Sequence, residues 1–169
     1  MRMEVAMRYA LRVLQFLWIL PAWILMWLFY VLPMWLIFRD LVFVRWADFL
    51  VAEFELATEN LEPWFAKLWR GWIGFGGPGV IIRKVIWNEA SRERTRKHEL
   101  THVQQQYRWG LLFYPAYLLA SVWIWVFMRD LHSYYDNPFE VEARRAAGQQ
   151  VKIPKNQWRD GIADRWAWW

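Results

Sequence analysis

The feature that most constrains the fold is an apolar run near the N-terminus, residues 13–38, which contains no charged side chain. Gln15 is its only strongly polar residue. A run of this length is sufficient for a transmembrane helix, which needs about 20 mainly apolar residues. It is apolar on all sides, which is typical of a helix in lipid or of one fully buried in protein. We expect a membrane helix, or a re-entrant hairpin if Pro21 and Pro33 divide the run, in preference to an unusually apolar core helix.

The composition favours a lipid surface as a partner. The chain has 16 tryptophans, 20% aromatic residues and a formal net charge of +5. Trp and Tyr collect at membrane interfaces, and positive charge suits anionic lipid headgroups. Nucleic acid is not expected as a partner, because no recognition motif accompanies the charge. The chain has no cysteine, which excludes disulfides and thiolate metal ligands.

The middle of the chain is mixed in character. Residues 39–70 carry acidic side chains among Leu, Phe and Trp and are expected to be helical. Residues 74–79 (GFGGPG) are expected to form a loop, and the absence of a following Gly-Lys-Ser/Thr argues against a phosphate-binding loop. Residues 80–87 are rich in β-branched side chains, which predicts a strand or a tight hairpin. The basic run at residues 92–97 is expected to face solvent or lipid headgroups.

The motif with the clearest chemistry is His98-Glu-Leu-Thr-His102, which holds two of the three histidines in the chain. On a helix, positions i and i+4 share a face, so both imidazoles can bind one metal ion with Glu99 beside it. Zinc hydrolases use this spacing, with the glutamate as general base on a metal-activated water. A catalytic zinc site usually has three protein ligands. The candidates for the third ligand are His132, Glu140 and Glu142.

Two segments resemble a known family. Residues 96–105 (RKHELTHVQQ) and 136–144 (DNPFEVEAR) resemble gluzincin-type zinc metallopeptidase-like proteins of bacteria and phages, and the resemblance covers about residues 80–147. In that family a glutamate of an E-x-x-A helix completes the zinc site after a linker helix. The resemblance therefore implies Glu140 as the third ligand, with Glu142 as the alternative.

Two observations qualify this ligand set. If Asn137 caps the helix and Pro138 is its first residue, Glu140 falls at a position where glutamate often serves only to satisfy the cap. Related gluzincins also often carry an acidic residue four positions after the third ligand, where it orients a zinc-bound histidine. This chain has Arg144 at that position, so another group must orient the imidazole.

A second apolar stretch, residues 111–128, separates the two halves of the site. As a helix it would rise about 27 Å, nearly the ~30 Å of the hydrocarbon core. If it crossed the bilayer, His102 and Glu140 would face opposite aqueous sides and could not share a metal ion. We therefore expect this stretch, which contains Pro115, to turn back or to lie in the interface. In the loop that follows, His132, together with Tyr134 and Tyr135, is a candidate hydrogen-bond donor to a developing oxyanion, although a loop histidine is the simpler interpretation.

The expected fold is mainly α, with a minor α+β part. We expect an apolar membrane-associated segment over residues 1–45, which forms a membrane helix or hairpin. A small zincin-like metal-binding domain is expected over residues 46–147, with a short strand or hairpin (near 80–87) beside the HExxH helix. Residues 148–169 are expected to form a C-terminal tail.

The expected function is that of a membrane-associated zinc metallopeptidase-like protein. Zn²⁺ would be held by His98, His102 and Glu140, and Glu99 would be the catalytic base of peptide-bond hydrolysis. The alternative is a non-enzymatic membrane or virion component that retains the scaffold. The expected partners are membrane lipids and a peptide or protein substrate. The expected location is a membrane: the protein is expected in the bacterial inner membrane or to be encoded by a phage.

Overall fold

The apolar N-terminal run forms one continuous helix in the computed structural model, which describes residues 2–48, 50–57 and 73–155. Helix α1 spans Arg2–Met26, and two π-helical turns, Trp27–Val31 and Pro33–Ile37, continue it. Pro33 opens the second turn. Because proline has no N–H for the helical ladder, a local widening of this kind keeps the chain helical around it. Of the two expected forms, the helix is present and the hairpin is not.

Two helical stretches are long and apolar enough, by length and composition, to cross a membrane. They are Tyr9–Ile37 and Glu89–Phe127, whose apolar 18-residue windows have mean hydropathies of 1.9 and 1.7. Only 22% of the first apolar window and 17% of the second are buried inside the protein. Exposed apolar surface on this scale is typical of proteins that contact a membrane or another protein.

The chain after α1 forms a four-stranded mixed sheet. Its strands are β1 (Leu41–Asp48), β2 (Val51–Leu56), β3 (Gly74–Gly77) and β4 (Val80–Arg83). Their order in space is β1-β2-β4-β3, so β1 and β3 are the edge strands. The pairs β1–β2 and β3–β4 are antiparallel, whereas β2 and β4 are parallel.

The sheet overturns two expectations from the sequence. The helix expected over residues 39–70 is wrong for 41–48 and 51–56, which are strands; residues 58–72 lie outside the described part of the chain. Glu53 and Glu55, two positions apart, both pair with Arg83 on one face of the sheet, which is the period of a strand. The loop expected over 74–79 is wrong for 74–77, which pair with β4. The strand or hairpin expected within 80–87 is confirmed over 80–83.

The helical stretch that begins with α1 packs directly on this sheet. Trp27, Val31 and Met34 lie in one buried cluster with β-strand residues that include Phe54 and Ile82. Burying side chains of this size contributes about 1.5–3 kcal/mol each. The N-terminal apolar run is therefore part of the protein core over its second half. Strand β1 also begins within the segment that the sequence assigned to the apolar N-terminus.

Three further helices follow the sheet: α2 (Glu89–Trp109), α3 (Phe113–Phe127) and α4 (Pro138–Ala146). The side chain of Asn88 caps α2 by accepting a hydrogen bond from the main-chain N–H of Ser91 at 3.0 Å. Helix α2 ends at Gly110, whose φ of 58° suits glycine. A 3₁₀ turn, Gly110–Leu112, joins it to α3. The fold is thus mainly helical, with a small mixed sheet.

The basic run at residues 92–97 is only partly a solvated face. Arg92 pairs with Glu89 on the helix surface. Arg96 instead turns inward, and its Nε lies 3.3 Å from Oε2 of the buried Glu53 on β2. This ion pair ties the start of α2 to the sheet.

Candidate metal centre

Helix α2 presents His98 and His102 to the same side. Both side chains are buried, and their Nε2 atoms are 3.1 Å apart. The rings meet edge to face, with centroids 4.8 Å apart. The sequence spacing of i and i+4 on a helix accounts for this arrangement.

Helix α4 adds Glu140 to the pair. Its Oε2 lies 3.3 Å from His98 Nε2, and its Oε1 lies 3.3 Å from His102 Nε2. The chain reaches this position because it turns back after α3. The Nδ2 of Asn137 donates hydrogen bonds to the main-chain oxygen of Tyr117 and to Oγ of Ser121, which fixes the start of α4 beside the middle of α3. The sequence placed the turn within residues 111–128, or that stretch in the interface. The structure instead has a continuous α3, and the chain returns after it, which brings the two halves of the site together.

The three side chains fit a metal ion. Ligand atoms at zinc-like bond lengths of about 2.1 Å around a tetrahedral ion are about 3.4 Å from one another. The two Nε2 atoms are 3.1 Å apart, and each lies 3.3 Å from one oxygen of Glu140, which is close to that spacing. Oε2 of Glu140 is buried and has no hydrogen-bond partner among the described residues. A buried carboxylate oxygen without a donor is unfavourable unless a cation satisfies it. This buried His-His-Glu group can hold a metal ion.

The carboxylate of Glu140 and the two imidazoles shift one another's pKa values. Burial alone would raise the pKa of Glu140, but the adjacent His102 and His98 hold it well below the usual range. Burial alone would lower the pKa of His102, but Glu140 raises it to about 9. The carboxylate is therefore ionised and available as a ligand, and a cation is favoured beside it.

Glu99 lies next to this group but is not one of the three converging side chains. Burial raises its pKa to about 7, against the lowering effect of His98 and His102. Strand β3 passes close to it: a methyl group at Gly76 would overlap the main-chain carbonyl of Glu99, and one at Gly74 would overlap its carboxylate. The glycines of the segment expected to be a loop thus allow an edge strand to lie against Glu99.

Each histidine is oriented by a carboxamide. His98 Nδ1 lies 3.0 Å from Oε1 of Gln149, and His102 Nδ1 lies 2.9 Å from Oε1 of Gln105. The resemblance implied an acidic residue at position 144 for this contact, whereas here both contacts to Nδ1 come from glutamines. The sequence indicated that some group must orient the imidazole, but gave no signal for which, since Gln149 lies in the expected tail.

Glu142 and Arg144 lie outside the ligand group. The carboxylate of Glu142 accepts hydrogen bonds from Gln105 and Arg108, so the structure brings Glu140, and not Glu142, to the histidines. The guanidinium of Arg144 is buried and lies over the ring of Tyr135, 5.5 Å from its centroid. Asn137 caps α4 by accepting a hydrogen bond from the main-chain N–H of Phe139. The carboxylate of Glu140 faces the histidines and not the cap.

Two tyrosines lie close to Glu140, and one of them, Tyr134, was among those expected beside the site. The hydroxyl of Tyr117 donates to Oε1 of Glu140 at 2.8 Å. Burial raises the pKa of Tyr134, and the nearby carboxylate of Glu140 raises it further. Tyr135 packs with His132 and Arg144 instead. Nδ1 of His132 accepts hydrogen bonds from the main-chain N–H groups of Tyr134 and Tyr135, which stabilises the turn before α4. Nothing in the sequence singled out Tyr117, because it lies within an apolar helix.

Comparison with known proteins places the chain in no group. No protein-family model matches it, and neither the curated proteins nor the solved structures contain a match.

Proposed function

We propose that this protein is a membrane-associated, zinc-dependent peptidase of the gluzincin type. The observation that carries the proposal is the convergence of His98, His102 and Glu140, with Glu99 adjacent on the same helix. Two imidazoles and one carboxylate form the ligand set of many catalytic zinc sites, in which a fourth position binds water or substrate. The absence of cysteine and the nitrogen–oxygen ligand set are compatible with zinc.

Glu99 is suited to the proton transfers of hydrolysis. When bound, zinc supplies Lewis acidity that polarises a substrate carbonyl and lowers the pKa of a water molecule. The carboxylate of Glu99 accepts the proton of the attacking water and delivers it to the leaving amine. A pKa raised by burial to about 7 suits a group that must first accept and then donate a proton near neutral pH.

Strand β3 offers a way to align an extended substrate. It is an edge strand, and it lies against Glu99 through Gly74 and Gly76. An edge strand can pair with an extended peptide through main-chain hydrogen bonds, which gives affinity without strict sequence preference. The carbonyl of Gly76 already accepts a hydrogen bond from Gln106, so such pairing would use the main chain around Gly74. The strand expected near residues 80–87 is less suited to pairing, because β4 (Val80–Arg83) is internal to the sheet.

The membrane part of the proposal rests on exposed apolar side chains. Large examples on the first apolar helical stretch and on α3 are Phe29, Ile37, Leu119, Trp125 and Phe127, each at least 66% exposed. Such surfaces are unfavourable in water and favourable in lipid. We expect purified protein to float with liposomes of mixed neutral and anionic lipids. In fractionated cells we expect it to sediment with the membrane pellet unless detergent is added.

The test of the enzymatic proposal is the substitution Glu99→Gln. We expect the wild-type protein to contain one zinc ion and to hydrolyse an unstructured protein such as casein, and the variant to retain zinc but lose hydrolysis. Glu93→Gln, a change of the same chemistry on the surface of the same helix, is the matched control and should behave as wild type. Unchanged turnover in Glu99→Gln would show that Glu99 is not the base.

One observation favours a non-enzymatic alternative, a membrane or virion component that keeps the metallopeptidase scaffold. His98, Glu99, His102 and Glu140 are each at most 9% exposed. Structural metal sites are closed, whereas catalytic sites keep an open position. In this alternative the wild type binds zinc without hydrolysing casein, and Glu99→Gln changes neither property.

A further inference from the structure

The side chain of Gln105 connects the two helices that supply the metal ligands. It lies on α2 three residues after His102, and it is fully buried. Its Oε1 lies 2.9 Å from Nδ1 of His102. Its Nε2 donates to the main-chain oxygen of Phe139 at 3.0 Å and to Oε2 of Glu142 at 2.9 Å, both on α4.

These contacts fix which way the amide points. Phe139 O and the carboxylate of Glu142 are acceptors only, so the NH₂ group of Gln105 must face them. The amide oxygen must then face His102, and an amide oxygen can only accept a hydrogen bond. Nδ1 of His102 therefore carries the proton in this contact. The lone pair of a neutral imidazole in this tautomer is on Nε2, the atom that faces Glu140.

We propose that Gln105 is a positioning residue that sets the tautomer of His102 and, through α4, the position of Glu140. The inference rests on the proposed metal site. Gln105 does not touch substrate or metal; it acts through His102. Its partner Phe139 immediately precedes Glu140, so the same amide that orients one ligand also holds the main chain beside another.

A carboxylate could not serve at this position. An acid in place of Gln105 would still accept from His102, but it would face Phe139 O and the carboxylate of Glu142, two groups that cannot donate to it. The acidic group of this arrangement is Glu142, one step further away, where Arg108 also binds it. A chain of contacts therefore leads from the surface to the buried histidine: Arg108 binds Glu142, Glu142 binds Gln105, and the neutral amide of Gln105 binds His102.

The first test compares two adjacent buried glutamines. We expect Gln105→Met to weaken zinc binding, measured by competition with a chelator, by about 10- to 100-fold, as is typical when the partner of a metal-bound histidine is lost. Gln106→Met is the matched control, because the amide of Gln106 donates to Gly76 O on β3 and does not contact the histidines. It should bind zinc as tightly as wild type.

A second test exchanges the amide of Gln105 and the carboxylate of Glu142. Gln105→Glu should weaken zinc binding, and the double variant Gln105→Glu/Glu142→Gln should restore it in part. The new carboxylate can then accept from both His102 and the new amide, while its contact with the main-chain oxygen of Phe139 stays unfavourable. Rescue of this kind would not follow if the residue only filled space.

Nitrogen NMR of the histidine rings supplies a measurement on the unmodified protein. In zinc-loaded wild type, we expect His102 to be protonated at Nδ1 and metal-bound at Nε2. Protonation at Nε2, or wild-type zinc affinity in Gln105→Met, would overturn the role of Gln105 while leaving the metal site in place. Absence of zinc from the wild type would instead overturn the metal site, and the inference with it.

Discussion

The Nε2 atoms of His98 and His102 lie 3.1 Å apart on successive turns of α2, and each lies 3.3 Å from a different oxygen of Glu140. Four polar atoms at these distances in a buried position need either protons or a cation between them. The depressed pKa of Glu140 and the raised pKa of His102 show that positive charge is favoured there.

The two carboxylates of α4 should differ sharply in their effect on metal content. We expect Glu140→Gln to lose stoichiometric zinc, because it removes the ligand that faces both histidines. Glu142→Gln should retain stoichiometric zinc, because its carboxylate reaches the site only through Gln105. Metal analysis of the two purified variants separates these outcomes, and the reverse result would mean that Glu142 is the third ligand.

Metal removal should lower thermal stability. A ligand that binds only the folded state stabilises it by about 2.7 kcal/mol at a free concentration of 100 times its Kd. We expect a chelator to lower the Tm of the wild type by several degrees, measured by circular dichroism, and zinc to restore it. The His102→Ala protein serves as control and should show no response to chelator; an equal response there would place the metal elsewhere.

The sequence predicted the site better than it predicted the sheet. The i, i+4 spacing of His98 and His102 needs only a helix, and the resemblance supplied Glu140, so the three converging residues could be named in advance. Helix length, with a metal ion shared by His102 and Glu140, was also enough to predict that residues 111–128 do not cross a bilayer. The histidine spacing and the helix length are local geometry, which a sequence encodes directly, whereas Glu140 came from the resemblance.

The strands and the orienting groups depend on contacts between distant segments. Glu53 and Glu55 gave the alternation of a strand, yet acids among apolar residues also fit an amphipathic helix, and only their pairing with Arg83 decides between them. Gln149 meets His98 from 51 positions away in the sequence. No spacing rule predicts such a contact.

The glycines of β3 should differ in what a methyl group disturbs. At Gly76 the added Cβ meets the main-chain carbonyl of Glu99, which cannot move without shifting α2. We expect Gly76→Ala to destabilise the protein by about 1–3 kcal/mol. At Gly74 the Cβ meets the Glu99 carboxylate, which can rotate, so Gly74→Ala should lower the Tm less while still reducing hydrolysis. Urea unfolding of both variants tests the order, and equal stabilities would contradict it.

Glu53 should contribute stability that is lost in acid. Burial alone would raise its pKa, but hydrogen bonds from Arg45 and Arg83 lower it below 4.5, the usual value of a glutamate. A pKa that is lower in the folded state than in the unfolded state contributes stability above the unfolded value, and this contribution is lost as the pH falls through the folded value. We expect Glu53→Gln to lose about 3 kcal/mol at neutral pH, because Arg83 remains buried with one carboxylate partner fewer.

The difference between wild type and Glu53→Gln should shrink as the pH falls below about 4.5, the value for an unperturbed glutamate. Denaturant unfolding at several pH values measures it. Glu89→Gln is the control, because Glu89 pairs only with Arg92 at the surface and should change stability little. A difference that does not depend on pH would assign the effect of Glu53→Gln to packing.

One face of the first apolar helical stretch packs in the protein core, and we expect another face to contact lipid. Trp27 is 9% exposed and packs against Phe54, whereas Phe29, two residues later, is 70% exposed. We expect Trp27→Ala to destabilise the protein in detergent by about 3–5 kcal/mol and Phe29→Ala to leave that stability unchanged. In liposome flotation the order should reverse, with Phe29→Ala weakening association because it removes apolar surface that no protein group covers.

Deletion of residues 1–37 should fail to yield a soluble folded domain, since Val31 and Met34 are also core residues. A stable, monomeric product of that deletion would show that the sheet and the metal centre fold without the helix.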